Sequence, residues 1–231
     1  MRSRMLLLIA ASLMLGANLS YAYAVTVANA SFESPTPDGT WTGTSGTTNG
    51  QWTGSVSGWT GAGAAAGTWH PGTGMFASIP DGSQVAYLGA NSSISQTTTE
   101  FLKAGYTYTL SAMVGTRDNA PLDGLDATFT GAKIELLADG NVLASATSGT
   151  PTQGGWIPIQ IAYSAGLGDP LLGKLLTLRL SGLALGNQAN FDQISLTAVP
   201  LPAAAWLFGS ALLGLGWTKR SRRQSQDALI A

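Results

Sequence analysis

The chain has 231 residues and a formal net charge of −1, and charged residues make up only 10% of it. This length allows one domain of ordinary size, and the absence of cysteine excludes disulfide bonds, thiolate metal sites and cysteine nucleophiles. Between Val25 and Ala198, five basic residues face eleven carboxylates, so this region has a net charge of −6 and is not suited to binding a nucleic-acid backbone.

The N-terminus has the three parts of a secretory signal peptide. Two arginines lie near the start, an apolar stretch follows at residues 6–16, and Ala22 and Ala24 form a small-x-small cleavage site. We therefore predict that residues 1–24 are a signal peptide cleaved after Ala24, and that the protein is exported. The alternative is an uncleaved anchor, but the apolar stretch is shorter than the roughly 20 residues of a membrane span.

Residues 25–198 predict an all-β domain. Residues 25–33 alternate like a first strand. Residues 40–74 are dominated by Gly, Thr, Ala and Ser, and predict either long loops or short strands at the edge of a sandwich. The later strand signals are residues 84–88, 92–98, 106–114, 133–138, 141–146, 156–163, 175–180 and 189–197.

Turn residues suggest how some of these strands pair. Asp139-Gly140 lies between two apolar alternations and predicts a hairpin, and residues 89–91 predict a second hairpin between 84–88 and 92–98. Pro158 cannot donate to a strand ladder, so its strand is predicted at an edge or a bulge. Eight or nine strands with no amphipathic helix between them predict a β-sandwich, with the jelly roll as its expected topology.

The C-terminal region has a different character. Val199, Pro200, Leu201 and Pro202 precede an uncharged apolar run that ends at Trp217, and four basic residues follow between 219 and 223. This order predicts a transmembrane helix whose basic end is held on the cytoplasmic side. Residues 199–223 therefore form a candidate sorting segment, and the short tail at 224–231 has no predicted role.

The motif Val199-Pro-Leu-Pro-Ala203, with the apolar helix and basic end after it, resembles the VPLPA variant of the PEP-CTERM sorting signal. This resemblance implies that an exosortase-type sorting enzyme is a partner. It also implies transient anchoring in the inner membrane and delivery to the cell surface or a biofilm matrix containing exopolysaccharide.

The domain between these ends resembles galactose-binding-like β-sandwiches. The resemblance rests on short motifs in order, including Asn29-Ala-Ser-Phe-Glu33, Tyr106-Thr-Tyr-Thr-Leu110 and Asn190-Phe-Asp-Gln-Ile-Ser-Leu196. In similar carbohydrate-binding modules an acidic residue on the first strand and another on the last hold a structural calcium ion. The resemblance therefore implies calcium at Glu33 and Asp192, whose oxygen ligands suit that ion.

Tryptophans in the Gly-rich region are candidate ligand-binding residues. A flat indole can stack on a sugar ring, which favours Trp41, Trp52 and Trp69 as a polysaccharide site, whereas Trp59 is predicted to be a core residue. The sequence shows no recognisable catalytic constellation, so we predict a non-catalytic matrix protein that binds exopolysaccharide. The alternatives are a purely structural or adhesion protein and, third, a glycoside-processing enzyme.

Overall fold

The computed structural model describes residues 21–42, 48–118, 129–183 and 188–201. Within these ranges the protein is all-β, and Tyr23–Ala198 forms a compact unit. Within the described residues there is no helix long and apolar enough to cross a membrane. The strands are β1 (Tyr23–Val25), β2 (Gly39–Thr42), β3 (Thr48–Thr53), β4 (Thr60–Ala62), β5 (Ala66–Pro71), β6 (Val85–Leu88), β7 (Ser93–Phe101), β8 (Tyr106–Gly115), β9 (Ala132–Ala138), β10 (Asn141–Thr147), β11 (Trp156–Ala165), β12 (Leu175–Gly182) and β13 (Ala189–Pro200).

Two sheets form the sandwich that the sequence predicts. The first sheet has eight strands in the order β11-β8-β13-β6-β5-β3-β2, with β1 paired to β13. The second has five strands in the order β10-β9-β12-β7-β4. Neighbouring strands run antiparallel in both sheets. In such a sheet one face can pack against the core while the opposite face turns away from it.

The main hydrophobic core lies where alternate residues of both sheets meet. Leu110 of the first sheet and Leu136, Leu178 and Leu180 of the second are fully buried in it. Each such side chain contributes about 1.5–3 kcal/mol when it is removed from water. Without disulfides, this core is the main source of stability that positions the loops and strand ends.

A second, smaller core lies on the outer face of the first sheet, the face turned away from the main core. Ala86 and Leu88 of β6 belong to the main core, so Val85 and Tyr87 point to the outer face. There Val85 packs with Trp69 and Met75. The outer face therefore carries its own apolar cluster instead of a purely solvated surface.

Several strand predictions are confirmed. The hairpin joins β9 to β10, with Asp139 and Gly140 at φ values of 50° and 78°, the left-handed conformation that the turn requires. Pro158 lies in β11, an edge strand of the first sheet. The Gly-rich region forms the short strands β2 to β5, of which β2 lies at the other edge.

The second predicted hairpin is wrong. Strand β6 belongs to the first sheet and β7 to the second, so the chain crosses between sheets at residues 89–92. Asn91 has a φ of 55°, and Ser92 N donates to Gly89 O, so the link is a tight corner that looks like a hairpin turn in sequence. A corner and a hairpin differ only in which strand is paired afterwards, and local turn residues do not encode that choice.

The predicted first strand at 25–33 is also largely wrong. Only Tyr23–Val25 is strand, and Asn29 and Phe32 have φ values of 50° and 59°. The Asn29 side chain donates to Ser57 O and accepts from Ser34 N, which stabilises a turn. Phe32 is fully buried and packs against Trp59, so burial of this ring outweighs the strand pattern.

The predicted terminal helices fall outside the described residues, as do positions 1–20 of the signal peptide, Pro202 and the tail at 224–231. Val199 and Pro200 lie at the end of β13. Ala24 lies inside β1, paired with Thr197. Cleavage after Ala24 would therefore cut through β1.

Candidate functional site

An aromatic cavity opens on the outer face of the first sheet. It has a volume of about 360 Å³. Its walls come from β3, β5 and β6, from the short segment before β5 and from the residue that precedes β13. The lining residues are Trp52, Ala64, Ala65, Trp69, Tyr87 and Gln188.

Strand register explains why these rings meet. Trp52 of β3 is opposite Trp69 of β5, and Tyr87 of β6 is opposite Gly67 of β5. Gly67 and Trp69 are two residues apart in β5, so they lie on the same face of the sheet. Directly opposite residues of an antiparallel pair share a face of the sheet. The rings of Trp52 and Tyr87 lie edge to face with centroids 6.5 Å apart.

Glycine beneath Tyr87 sets the position of its ring. A Cβ atom at Gly67 would lie 2.9 Å from Tyr87 Cε1 and 1.8 Å from the carbonyl oxygen of Thr53. No side chain fits there without moving the neighbouring strand, so position 67 requires glycine. The missing side chain lets the Tyr87 ring lie close to the sheet beside the cavity.

Behind Trp69 the outer face is filled by further aromatic rings. Trp69 contacts Phe76 edge to face at 5.8 Å, and Phe76 stacks on Trp156 at 4.8 Å. Trp156 is held by a 2.9 Å hydrogen bond from Nε1 to Ser78 O, and its ring lies over Gly115. This chain of contacts fixes Trp69, which is only 1% exposed, as a rigid wall.

A buried cation lies against the same wall. The guanidinium carbon of Arg117 is 5.9 Å from the centre of the Trp69 ring, within the range of a cation–π contact. Burial lowers the pKa of Arg117 to about 10, because the interior disfavours its charge. Arg117 remains protonated near neutral pH and stabilises the position of Trp69.

Polar groups at the cavity are few. Burial raises the pKa of the Tyr87 phenol, so it stays protonated at neutral pH. The Nε2 atom of Gln188 is buried and has no hydrogen-bond partner among the described residues. Among the lining residues that the structure describes, none carries a charge.

A second cavity adjoins the first and shares Trp52, Ala64, Ala65 and Tyr87 with it. This adjoining cavity also has a volume of about 360 Å³. Its other walls are mostly small side chains and backbone near β4, with Trp59 and Ile94 at the side of the main core. The two cavities are therefore neighbours, with Trp52 and Tyr87 as their shared aromatic residues.

The predicted tryptophans divide into three cases. Trp52 and Trp69 line one cavity, so the structure brings these two predicted ligand-binding residues together. Trp41 lies in β2, but its side chain is outside the described residues. Trp59 is confirmed as a core residue, 8% exposed, with Nε1 donating to Ala28 O at 3.0 Å.

Sequence reasoning missed Tyr87 and Gln188. Tyr87 falls within a correctly predicted strand, and its alternation with Ala86 and Leu88 was the one available sign that it faces away from the main core. Gln188 precedes the last strand and has no motif around it. Both join the site only through pairing between β5, β6 and β13, which one sequence does not reveal.

The predicted calcium ligands lie beside the same short segment, residues 81–84. Glu33 Oε1 accepts from the backbone of Ser83 at 2.8 Å and of Gln84 at 2.7 Å. Asp192 accepts from Asp81 N at 2.9 Å and from Gln193 N at 2.7 Å. Both carboxylates thus anchor one loop to the first sheet.

The electrostatics of this loop are unfavourable for a negative charge. Burial, together with the nearby carboxylates of Asp81 and Glu33, raises the pKa of Asp192 to about 7. No group of three or more His, Asp or Glu side chains that could hold a metal ion occurs within the described ranges. Calcium at Glu33 and Asp192 stays a prediction, and any such site would depend on main-chain oxygens as well.

Comparison with known proteins gives a family over most of the chain. The model of the HpiC1-like family, described as HpiC1 cyclase, matches residues 23–197. No curated protein matches this chain.

Two solved structures show the same fold. A Stig cyclase, Fisc, from Fischerella sp. TAU in complex with (3Z)-3-(1-methyl-2-pyrrolidinylidene)-3H-indole is 25% identical with a TM-score of 0.66, over 78% of this chain and 100% of that one. A cyclase from Fischerella sp. TAU in complex with 4-(1H-indol-3-yl)butan-2-one is 24% identical with a TM-score of 0.64, over 78% and 98%.

The family match corrects three predictions. The recognition of the chain as a VPLPA-type PEP-CTERM protein with a galactose-binding-like domain is wrong, because the domain at 23–197 matches a cyclase family. The prediction of a non-catalytic, exosortase-sorted matrix protein is wrong for the same reason. The prediction that the chain is not an enzyme is therefore also wrong; it rested on the absence of a recognisable nucleophile motif, metal-ligand partner or carboxylate pair, whereas the described cavity is aromatic and uncharged.

Proposed function

Because this chain belongs to the HpiC1-like cyclase family, we propose that it is a cyclase whose substrate carries a planar aromatic ring of the indole type. The observation that carries this proposal is the cavity formed by Trp52, Trp69 and Tyr87. Flat rings that meet at right angles offer both faces and edges to a bound aromatic group. The indole-type ligand of the related Fisc structure supports the same substrate class.

The cavity favours ring closure by holding a flexible substrate in a folded shape. An intramolecular reaction is slow when the reacting ends seldom meet, and a binding site that holds them together removes much of that entropic barrier. The aromatic cavity would hold the planar ring, and the adjoining cavity would hold the rest of the molecule. Trp52 and Tyr87 stand at their junction, where the two parts of the substrate would meet.

Aromatic walls also suit a reaction that builds positive charge on carbon. The faces of Trp52 and Tyr87 can stabilise such a charge through their π electrons without trapping it as a carboxylate would. The Tyr87 phenol is the titratable group of the described lining; it is protonated at neutral pH even at its ordinary pKa, burial raises that pKa further, and it can donate a hydrogen bond or, to a strongly basic developing centre, a proton. We assign Tyr87 this role.

Calcium and export remain part of the proposal. Burial, together with the nearby carboxylates of Asp81 and Glu33, raises the cost of ionising Asp192, and a calcium ion beside Glu33 and Asp192 would relieve it. Such an ion would stabilise the loop at 81–84, which both carboxylates already anchor. The signal-peptide pattern at 1–24 supports export, and the two-sheet order is consistent with a jelly-roll arrangement.

Binding and turnover of indole compounds test this function. We expect the protein to bind 4-(1H-indol-3-yl)butan-2-one, measured by calorimetry. We also expect it to convert 3-substituted indoles with an unsaturated side chain into cyclic isomers of unchanged mass, measured by chromatography with mass spectrometry.

Replacing the most exposed aromatic wall should weaken this binding. Trp52→Ala removes one face of the cavity, and loss of a stacked ring should raise the Kd for the indole ketone about tenfold or more. Phe101→Ala is the matched control, since Phe101 is a comparably exposed aromatic residue that is not among the lining residues. Equal loss of affinity in both variants, or no binding by the unmodified protein, would contradict the proposed site.

A further inference from the structure

We propose that Gln188 is a specificity-determining residue that selects substrates carrying a neutral hydrogen-bond acceptor next to the aromatic ring. This inference rests on the proposed function, because it assigns a role within the same cavity. It follows from the Gln188 side chain, whose buried amide nitrogen is not needed to form the aromatic walls.

Gln188 is the amide among the six lining residues. Its Nε2 atom is shielded from solvent and makes no hydrogen bond within the described part of the chain. Buried polar groups in proteins nearly always have a partner, and an amide nitrogen without one destabilises the folded state. A protein that keeps such a group at a binding cavity gains when a ligand provides the missing acceptor.

The geometry makes this rearrangement inexpensive. Glutamine has three rotatable side-chain bonds, and turning its Nε2 atom toward the cavity breaks no hydrogen bond made by that atom. A hydrogen-bond acceptor on the ligand would therefore pair with the Gln188 Nε2 atom without displacing an existing hydrogen bond of that atom. The other described lining groups are two indoles, a phenol and two alanine methyl groups, so within the described lining the amide is the one strong hydrogen-bonding group that is not aromatic.

The chemistry of the amide defines the class of acceptor. A carboxamide N–H binds a carbonyl, imine or nitrile-type group, whereas a substrate ammonium would find no carboxylate in the described lining. The selected substrate is thus a neutral, acceptor-bearing aromatic compound. Asn190, two residues later and opposite Tyr87, has a buried Oδ1 without a partner in the described structure, while its Nδ2 donates to Ala86 O at 3.5 Å.

A matched pair of probes tests this role. The ketone 4-(1H-indol-3-yl)butan-2-one and its deoxy analogue 3-butylindole differ only in that a carbonyl group of the side chain is replaced by a methylene group. The measured quantity is the ratio of their Kd values in the full chain, which cancels the general effect of any variant on affinity. In Gln188→Leu and in the isosteric Gln188→Glu, we expect the Kd of the ketone to rise about five- to tenfold relative to the Kd of 3-butylindole.

Controls separate this inference from the function on which it rests. Gln160→Leu, at an exposed position of β11, should leave the ratio unchanged. If both probes bind and the ratio does not move in either Gln188 variant, the specificity role is overturned while the aromatic cavity stands. If neither probe binds the unmodified protein, the proposed function fails together with the role of Gln188.

Discussion

At the scale of single residues, removing the Tyr87 hydroxyl distinguishes substrate binding from turnover. Tyr87→Phe keeps the ring that lies beside Gly67 but removes the group that can donate a proton. We expect the Kd of 3-butylindole to stay within about twofold, because its contacts are apolar. Turnover should fall about 100-fold, the lower range for loss of a general acid.

Steady-state kinetics with an accepted indole substrate check this prediction. The loss should appear in kcat and not in KM, because the ring still binds. A variant with full turnover would show that Tyr87 is only a wall of the cavity.

The raised pKa of Asp192 predicts that the folded protein loses stability as the pH rises. Its pKa is about 7 in the folded protein against an ordinary value of 3.8, mainly because of burial. Between about pH 4 and pH 7 the folded protein therefore holds a proton that the unfolded chain has released. The free energy of unfolding should fall as pH rises through this window and level off above it.

Urea unfolding in the presence of a chelator measures the effect. Asp192→Asn cannot titrate, so the difference in unfolding free energy between the unmodified protein and the variant should change steadily from about pH 4 to pH 7. Calcium added at pH 8 should stabilise the unmodified protein only, if the ion binds there. Parallel pH profiles for the two proteins would contradict the raised pKa.

At the scale of elements, β1 decides where a signal peptide can be removed without loss. All three residues of β1 pair with β13, and the Tyr23 hydroxyl donates to Glu100 at 2.7 Å. Lys103 Nζ lies 5.7 Å from the centre of the same ring. A chain that begins at Val25 loses these contacts, so its unfolding free energy should be about 1–2 kcal/mol lower than that of a chain beginning at Tyr23.

Denaturant midpoints of the two shortened chains compare them directly. A third chain that begins at Tyr21 serves as the control and should match the one that begins at Tyr23. Equal midpoints for all three would mean that β1 adds nothing to stability, and cleavage after Ala24 would then be harmless.

Element prediction from sequence succeeded where information was local. Asp139-Gly140 specifies its own hairpin, and the alternation from Tyr106 onward specifies β8 with a buried face. It failed at residues 89–92, where a corner between sheets has the same turn residues as a hairpin. The cavity shares this limitation, because the Trp52–Trp69 and Gly67–Tyr87 neighbours arise from strand register and not from spacing along the chain.

At the scale of the whole molecule, the charge distribution predicts how binding responds to salt. Residues 25–198 carry a net charge of −6, yet the described lining of the aromatic cavity is uncharged. Screening by salt acts on charges and not on stacked rings. The Kd of 3-butylindole should therefore change less than about twofold between about 50 mM and about 500 mM sodium chloride.

Calorimetric titrations at the two salt concentrations provide the measurement. A cationic indole such as tryptamine is a useful comparison, since general attraction to the acidic surface would weaken with salt. If affinity for 3-butylindole also fell several-fold, a charged group outside the described lining would have to contribute to binding.

The central position of β13 in the first sheet determines when that sheet can be completed during synthesis. This last strand lies between β8 and β6, and Gln188 at its entrance completes the cavity wall. During synthesis the middle of the first sheet stays open until β13 has emerged, and such long-range pairing is slow. The aromatic cavity is therefore completed only after β13 has been made, and a chain that stops before Gln188 lacks part of its wall.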